Sequence, residues 1–304
     1  MPAKNASTTI ADSIRSILSI PLVSELIVVD DRSTDETVKI VRGFDDERIR
    51  IILGPGAGIS AAINCGIKAS SCEYIARCDA DDLYPQDRFE WQIDWLNDND
   101  GYVAISGGFS TIDSEGRAVA DLACDGVAGD VTMRLLEGDA VTSFCSWLTR
   151  KTALDEVGGA REWFVTAEDL DLMFRLASRG RVWHEPRVAY LYRLHGNSIV
   201  HSQSNNQRQF YESSAIAFAK SRRQGYGDPL TEGIAPPAPF DVCAPALSVS
   251  EQISGYLVGA AWSAHAKGDR RTAWVLIARA LKFEPTSLAL WKNLLFICLK
   301  RTPR

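Results

Sequence analysis

Three short apolar runs rich in β-branched residues, ELIVVD (25–30), RIRIIL (48–53) and YIARCD (74–79), alternate with helical patterns, and this alternation constrains the fold most. Strands and helices taking turns at that spacing belong to an α/β sheet protein. STDETVKIVRGF (33–44) opens the first intervening helix with Ser33 and Glu36, three residues apart as in a capping box. Glycines 54, 56 and 58 lead into GISAAINCGIKAS, whose small residues let a helix approach a sheet closely. After the third run, Pro85 suits the first turn of a helix in which Phe89, Ile93 and Leu96 recur at core spacing.

Beyond residue 100 the pattern loosens into two strands around a DSEG turn and a further strand, VTSFCSWLT. TAEDLDLMFRLASRG (166–180) predicts a helix ended by Gly180, followed by strand-like RVWHEPRVAYLYRLH and a polar helix. The spacing therefore predicts a domain over 1–224, a Pro/Gly-rich linker over 225–249 and a helical tail over 250–304. In the tail, SAHAKGDRRTAWVLIARALKFEPTSLALW has the spacing of one tetratricopeptide-like hairpin, expected to pack on the main domain. LALWKNLLFICLK (288–300), interrupted by Lys292 and Asn293, reads as an amphipathic helix suited to a membrane surface. No apolar run approaches the roughly 20 residues that span a bilayer.

A net charge of -6 and a pI near 5.4 argue against a nucleic-acid partner, because phosphate contacts draw on many Lys and Arg. Seven scattered cysteines without a CxxC pair argue against a disulfide framework or a zinc site and fit a cytoplasmic chain.

Carboxylates stand at the strand ends. Asp30 and Asp31 close the first run, where α/β sheets bind ligands, although aspartates there also solvate loops and cap helices. Asp79, Asp81 and Asp82 follow the third run. Alternate carboxylates on a turn suit Mg²⁺ or Mn²⁺, with substrate phosphates completing the shell. The competing reading is an Asp-rich turn with Asp82 capping the helix entered at Pro85. Glu168, Asp169 and Asp171 fall in a first helical turn, which the helix dipole favours without further purpose. Glu168 and Asp169 cannot share one face, so one of them points to a cavity, where a carboxylate serves as a general base. His195, in YRLHGNS, is either a metal or phosphate partner or a satisfied polar residue. Cys78 is no nucleophile, because the neighbouring carboxylates disfavour a thiolate.

Taken together, VVDDRSTDET, GAGISAAINCGIKASSCEYIARCDADD, PQDRFEWQIDWL, AEDLDLMFRLASRG and YLYRLHGNSI resemble, in order and spacing, the motifs of the family 2 glycosyltransferases over residues 1 to about 200. The resemblance implies the GT-A fold, a mixed and mainly parallel sheet flanked by helices, here with an α-helical C-terminal appendage. It implies inverting transfer of a sugar from a nucleotide-diphosphate donor. It places Asp30 or Asp31 on the base, Asp79 on the ribose or the metal, and Asp81 on Mg²⁺ or Mn²⁺ across the two phosphates. His195 would help hold the metal or diphosphate, and Asp169 would deprotonate the acceptor hydroxyl. The same resemblance assigns Pro2, Asn5, Gly58 and Asn64 to the nucleotide side. The acceptor it implies is a saccharide or lipid-linked glycan of surface or exopolysaccharide synthesis, met at the inner membrane face with peripheral contact through the C-terminal helices. Two departures stand out: Ile63 replaces a usual basic residue, and PAKN resembles only the end of the family's first strand. The expectation is a truncated first strand, with the protein beginning upstream of Met1. The alternatives are a sugar nucleotidyltransferase on a similar sheet and a non-catalytic GT-A domain that binds a partner.

Overall fold

β2 (Leu26–Asp30) is buried at all five positions, as a central parallel strand must be. It pairs in parallel with β1 (Pro2–Ala3) on one side and with β3 (Ile49–Leu53) on the other. Met1 extends the β1 ladder: its amino group donates to the Ile27 carbonyl, and its carbonyl accepts from Val29 N–H, both at 2.8 Å. α1 (Ile10–Leu18) buries Ile10, Ile14 and Ile17, while α2 (Thr37–Arg42) links β2 to β3. α3 (Ile59–Ala69) uses its small residues as predicted. Ala62 is fully buried against Ile27 and Val29, and a Cβ at Gly66 would lie 3.5 Å from Val29 Cγ2.

The chain continues through β4 (Tyr74–Ile75), α4 (Arg88–Asn97), β5 (Tyr102–Ile112), β6 (Ala118–Leu122), β7 (Gly129–Asp130), α5 (Thr132–Leu136), β8 (Leu148–Arg150), α6 (Lys151–Glu156), α7 (Glu168–Ala177), β9 (Arg181–Arg193) and α8 (Asn205–Arg223). A second, six-stranded sheet has the order β4-β8-β5-β9-β7, with β6 paired to β5. Here β4–β8, β8–β5 and β9–β7 run antiparallel, so the fold is mixed α/β, with its parallel ladders in the three-stranded sheet. This computed structural model describes residues 1–113, 115–122, 126–194, 205–238 and 248–300.

Several local expectations are corrected. Ser33 caps no helix: α2 begins at Thr37, Asp35 Oδ1 accepts Thr37 N–H, and Ser33 Oγ instead accepts Asn5 N–H. The third strand is only Tyr74–Ile75, and the middle of VTSFCSWLT forms a 3-10 turn, Phe144–Ser146, with only its last two residues in β8. α4 starts at Arg88, beyond Pro85. Asp82 therefore does not cap it; its carboxylate accepts the Tyr190 hydroxyl at 2.6 Å.

The chain divides into two compact units. The first comprises Met1–Phe109, Ala123–Tyr192 and Asn206–Val242. Within it, α7 and α8 are tied by a buried ionic network. Asp171 pairs with Arg161 and Arg175, and Asp228 with Arg161 and Arg222. The second comprises Ser110–Leu122, Arg193–Asn205 and Cys243–Arg304, so the C-terminal helices share a unit with the β6 hairpin. These helices are α9 (Val249–Ala266), α10 (Arg270–Phe283) and α11 (Leu288–Leu299), packed around Ala261, Ala273, Ile277 and Ile297. Ser248 and Glu251 form a capping box at α9, and Arg279 of α10 donates to the Ala118 and Val119 carbonyls. No helix among the described residues is long and apolar enough to cross a membrane.

Candidate active site

β2 ends at Asp30, and the turn that follows is built on two buried carboxylates. Asp30 accepts Ser33 N–H at 3.2 Å. Asp31 accepts Gly56 N–H at 2.8 Å and Gly58 N–H at 3.3 Å, which folds the glycine loop back onto the strand end. A Cβ at Gly54 would lie only 3.0 Å from Asp31 Oδ1, so this loop needs its glycine there. Asn5 clamps the other side of the turn: its Oδ1 accepts Thr34 N–H at 2.8 Å, while Pro2 is held in β1 opposite Val29.

The chain between Asn5 and α1 reaches a second turn, because Thr9 Oγ1 donates to the Ala80 carbonyl at 3.0 Å. That turn carries Asp79, Asp81 and Asp82. Tyr190 fixes it from β9, accepting Asp79 N–H at 3.1 Å while donating to Asp82. The Asp79 carboxylate is engaged by Arg77, whose Nε and Nη2 donate to its two oxygens at 2.7 and 3.1 Å. Arg77 Nη1 also donates to Glu168 Oε1 at 2.9 Å, joining positions 91 residues apart. Burial together with the charges of Asp82 and Asp79 pushes the Cys78 thiol well above its usual range, in keeping with an inert cysteine.

α7 thus delivers Glu168 and Asp169 to the same place. Burial raises Glu168 to about 7 against the opposing pull of Arg77, and burial raises Asp169 as well. Asp169 Oδ1 accepts Leu170 N–H at 2.8 Å. The N-cap residue of α7, Ala167, is left-handed at φ 58°. Among the described residues, the other non-glycine positions with positive φ are Asn5 and Arg32. Asn5 is itself a candidate residue, and Arg32 and Ala167 adjoin candidates Asp31 and Glu168, as stored strain at a functional site would.

Candidate residues thus converge from three loops at the ends of β1, β2 and β4 and from the start of α7. Asn64 is engaged differently, with its amide exchanging two 2.8 Å hydrogen bonds with the Ala160 backbone. Gly58 serves as the N-cap of α3 at φ 94°. His195 lies outside the described residues. The residue that sequence reasoning missed is Arg77. The signal was present: positions 77 and 79 alternate along one extended run, so a cation shares a face with the carboxylate.

No group of three or more His, Cys, Asp or Glu among the described residues forms a protein-only metal cage. One or two aspartates on a turn fit a hard dication of the Mg²⁺ or Mn²⁺ type that completes its shell with phosphate oxygens. A separate cavity of about 350 Å³ is lined mainly by apolar side chains such as Ile27, Ile63, Ile75 and Phe89. Among the described candidate residues only Pro2 reaches its wall, along with Arg77, and so apolar a lining does not suit a charged donor.

The Glycosyl transferase family 2 profile matches residues 1–158, and the chain belongs to that family. It is 29% identical over 241 residues to the succinoglycan biosynthesis protein ExoU of Rhizobium meliloti, covering 72% of this chain and 68% of ExoU. It is 28% identical over 218 residues to an uncharacterised glycosyltransferase of Rickettsia conorii, covering 69% of this chain but 36% of that protein. It is 38% identical over 101 residues to the Escherichia coli UDP-Glc:alpha-D-GlcNAc-diphosphoundecaprenol beta-1,3-glucosyltransferase WfgD, covering 33% of this chain and 40% of WfgD. Among solved structures, Staphylococcus aureus TarS 1–349 with UDP-GlcNAc aligns at TM-score 0.59 and 15% identity, covering 97% of this chain and 77% of that 1–349 chain. The Pyrobaculum calidifontis mannosyltransferase PcManGT with GDP-Man and Mn²⁺ aligns at 0.55 and 20%, covering 97% and 76%. The fold is that of the GT-A glycosyltransferases.

Proposed function

We propose that this chain transfers a sugar, with inversion, from a nucleotide-diphosphate donor to a hydroxyl of a saccharide or lipid-linked acceptor in surface or exopolysaccharide synthesis. The observation that carries the reading is the convergence of the β2-end turn, the Asp79–Asp82 turn and the start of α7 through Asn5, Thr9 and Arg77. The relatives' names support the substrate classes: succinoglycan in one, a diphosphoundecaprenol-linked sugar in another.

In this reading the turn after β2, with Asp30, Asp31 and Asn5, holds the nucleoside. Asp81, with Asp79 beside it, faces the diphosphate. A bound Mg²⁺ or Mn²⁺ supplies charge neutralisation for the departing diphosphate. Asp169 takes the proton of the acceptor hydroxyl as it attacks the anomeric carbon. Its raised proton affinity suits that task, because a stronger base is better matched to a hydroxyl near neutral pH. Sugar-acceptor bond formation and loss of the nucleoside diphosphate are in line, so the anomeric configuration inverts.

The chain acts in the cytoplasm and meets the membrane through α11. Leu288, Trp291, Leu295, Phe296 and Leu299 are exposed on that helix, with Lys292 and Lys300 beside them. Screening nucleotide sugars by thermal shift with Mn²⁺ identifies the donor, since a bound ligand stabilises by mass action. With that donor, Asp81→Ala and Asp169→Ala are both expected to lower transfer by about a hundredfold or more, while only Asp81→Ala weakens nucleotide binding. A chain stabilised by no nucleotide sugar and transferring none overturns the reading.

A further inference from the structure

We propose that Arg77 is a positioning residue that joins the donor side of this site to its acceptor side and holds the metal affinity of Asp79 down. The guanidinium is 11% exposed, Glu168 8% and Asp79 27%. Arg77 grips both oxygens of Asp79 and, with its remaining Nη, one oxygen of Glu168. Such a planar fork fixes the carboxylate plane as well as neutralising it, which a lysine ammonium cannot reproduce.

Two effects follow from this one side chain. On the donor side, a fixed positive charge against Asp79 repels an incoming dication and leaves Asp81 as the principal carboxylate facing it. On the acceptor side, the same guanidinium anchors Glu168, the neighbour of Asp169 at the first turn of α7. It thereby sets the distance between the candidate base and the Asp79–Asp82 turn. Tyr190 supports the turn from β9, whereas Arg77 hydrogen-bonds both Asp79 of the turn and Glu168 of α7.

The acceptor-side half rests on the glycosyl-transfer reading; the donor-side half does not. Mn²⁺ binding to the full chain is read from loss of the free-ion paramagnetic resonance signal, with Mn²⁺ alone and with UDP added. Arg77→Gln is expected to tighten Mn²⁺ by about threefold or more, because it frees a carboxylate, while kcat falls about thirtyfold with donor KM changed less than about threefold. Arg77→Lys restores part of kcat, and Glu168→Gln lowers kcat without tightening Mn²⁺. A merely structural arginine would instead weaken metal binding and turnover together. Unchanged or weaker Mn²⁺ binding in both Arg77 variants, or no Mn²⁺ binding in any form, overturns the donor-side half. A kcat within about threefold of the parent in Arg77→Gln overturns the other. If no nucleotide sugar is turned over at all, the glycosyl-transfer reading fails, and the Mn²⁺ titration alone decides the inference.

Discussion

Glu168 sits at the junction of burial and pairing: desolvation lifts its carboxyl to about 7 although Arg77 opposes the shift. Between the ordinary glutamate range and that value, the folded chain keeps a proton that the unfolded chain has lost. Stability therefore falls as pH rises through this window and levels off above it. Glu168→Gln is expected to flatten that slope between about pH 4.5 and 7 in urea-unfolding midpoints, since an amide does not titrate there. An unchanged slope would show that the proton is held elsewhere. The carboxylates at strand ends were legible in the sequence because strand ends in α/β sheets are where charge can meet a ligand. Their partners were not. Tyr190 reaches Asp82 across 108 positions and Asn64 reaches Ala160 across 96, distances at which no local pattern operates.

At the scale of elements, α7 carries the candidate carboxylates Glu168 and Asp169 on one end and a structural network further along. Asp171 is fully buried between Arg161 and Arg175, and Arg161 and Arg222 hold Asp228 just beyond α8. Burial pushes the Asp228 carboxyl up, but hydrogen bonds from the two arginines and the charge of Arg161 outweigh it and hold it at about 2. This contribution to stability is complete above the unfolded value of 3.8 and is lost as pH falls through about 2. Asp228→Ala is expected to cost about 3 kcal/mol at neutral pH, read from chemical unfolding, because it strands buried arginine charge. The difference from the parent should shrink in acid. A cost below about 0.5 kcal/mol would mean that water replaces the carboxylate. Helix periodicity announced α7 and its acidic first turn, and small residues announced α3. The left-handed Ala167 that starts α7 has no signature in an alanine, and β4 covers only Tyr74–Ile75 of the YIARCD run.

Across the whole molecule, charge is unevenly shared. Residues 248–304 hold nine Lys or Arg against three Asp or Glu, although the chain totals -6. With the exposed apolar residues of α11, that composition fits an anionic lipid surface. Co-sedimentation with vesicles containing 30% phosphatidylglycerol, as a rough mimic of an anionic leaflet, is expected to capture the chain and to weaken at high salt. Replacing Trp291 and Leu295 with Ser should abolish capture. Concentration-dependent self-association without vesicle binding would assign this face to a second copy of the chain.

The Arg77–Glu168 bridge also bears on how the site comes into being during folding. It links positions 91 residues apart, and Tyr190 locks the same turn from 111 residues away. Contacts so distant in sequence close only after most loop entropy has been lost. A chain emerging from synthesis can therefore close the Asp31–glycine loop contacts early, 25 residues apart, but joins the Asp79–Asp82 turn to Glu168 and Tyr190 only when α7 and β9 have docked.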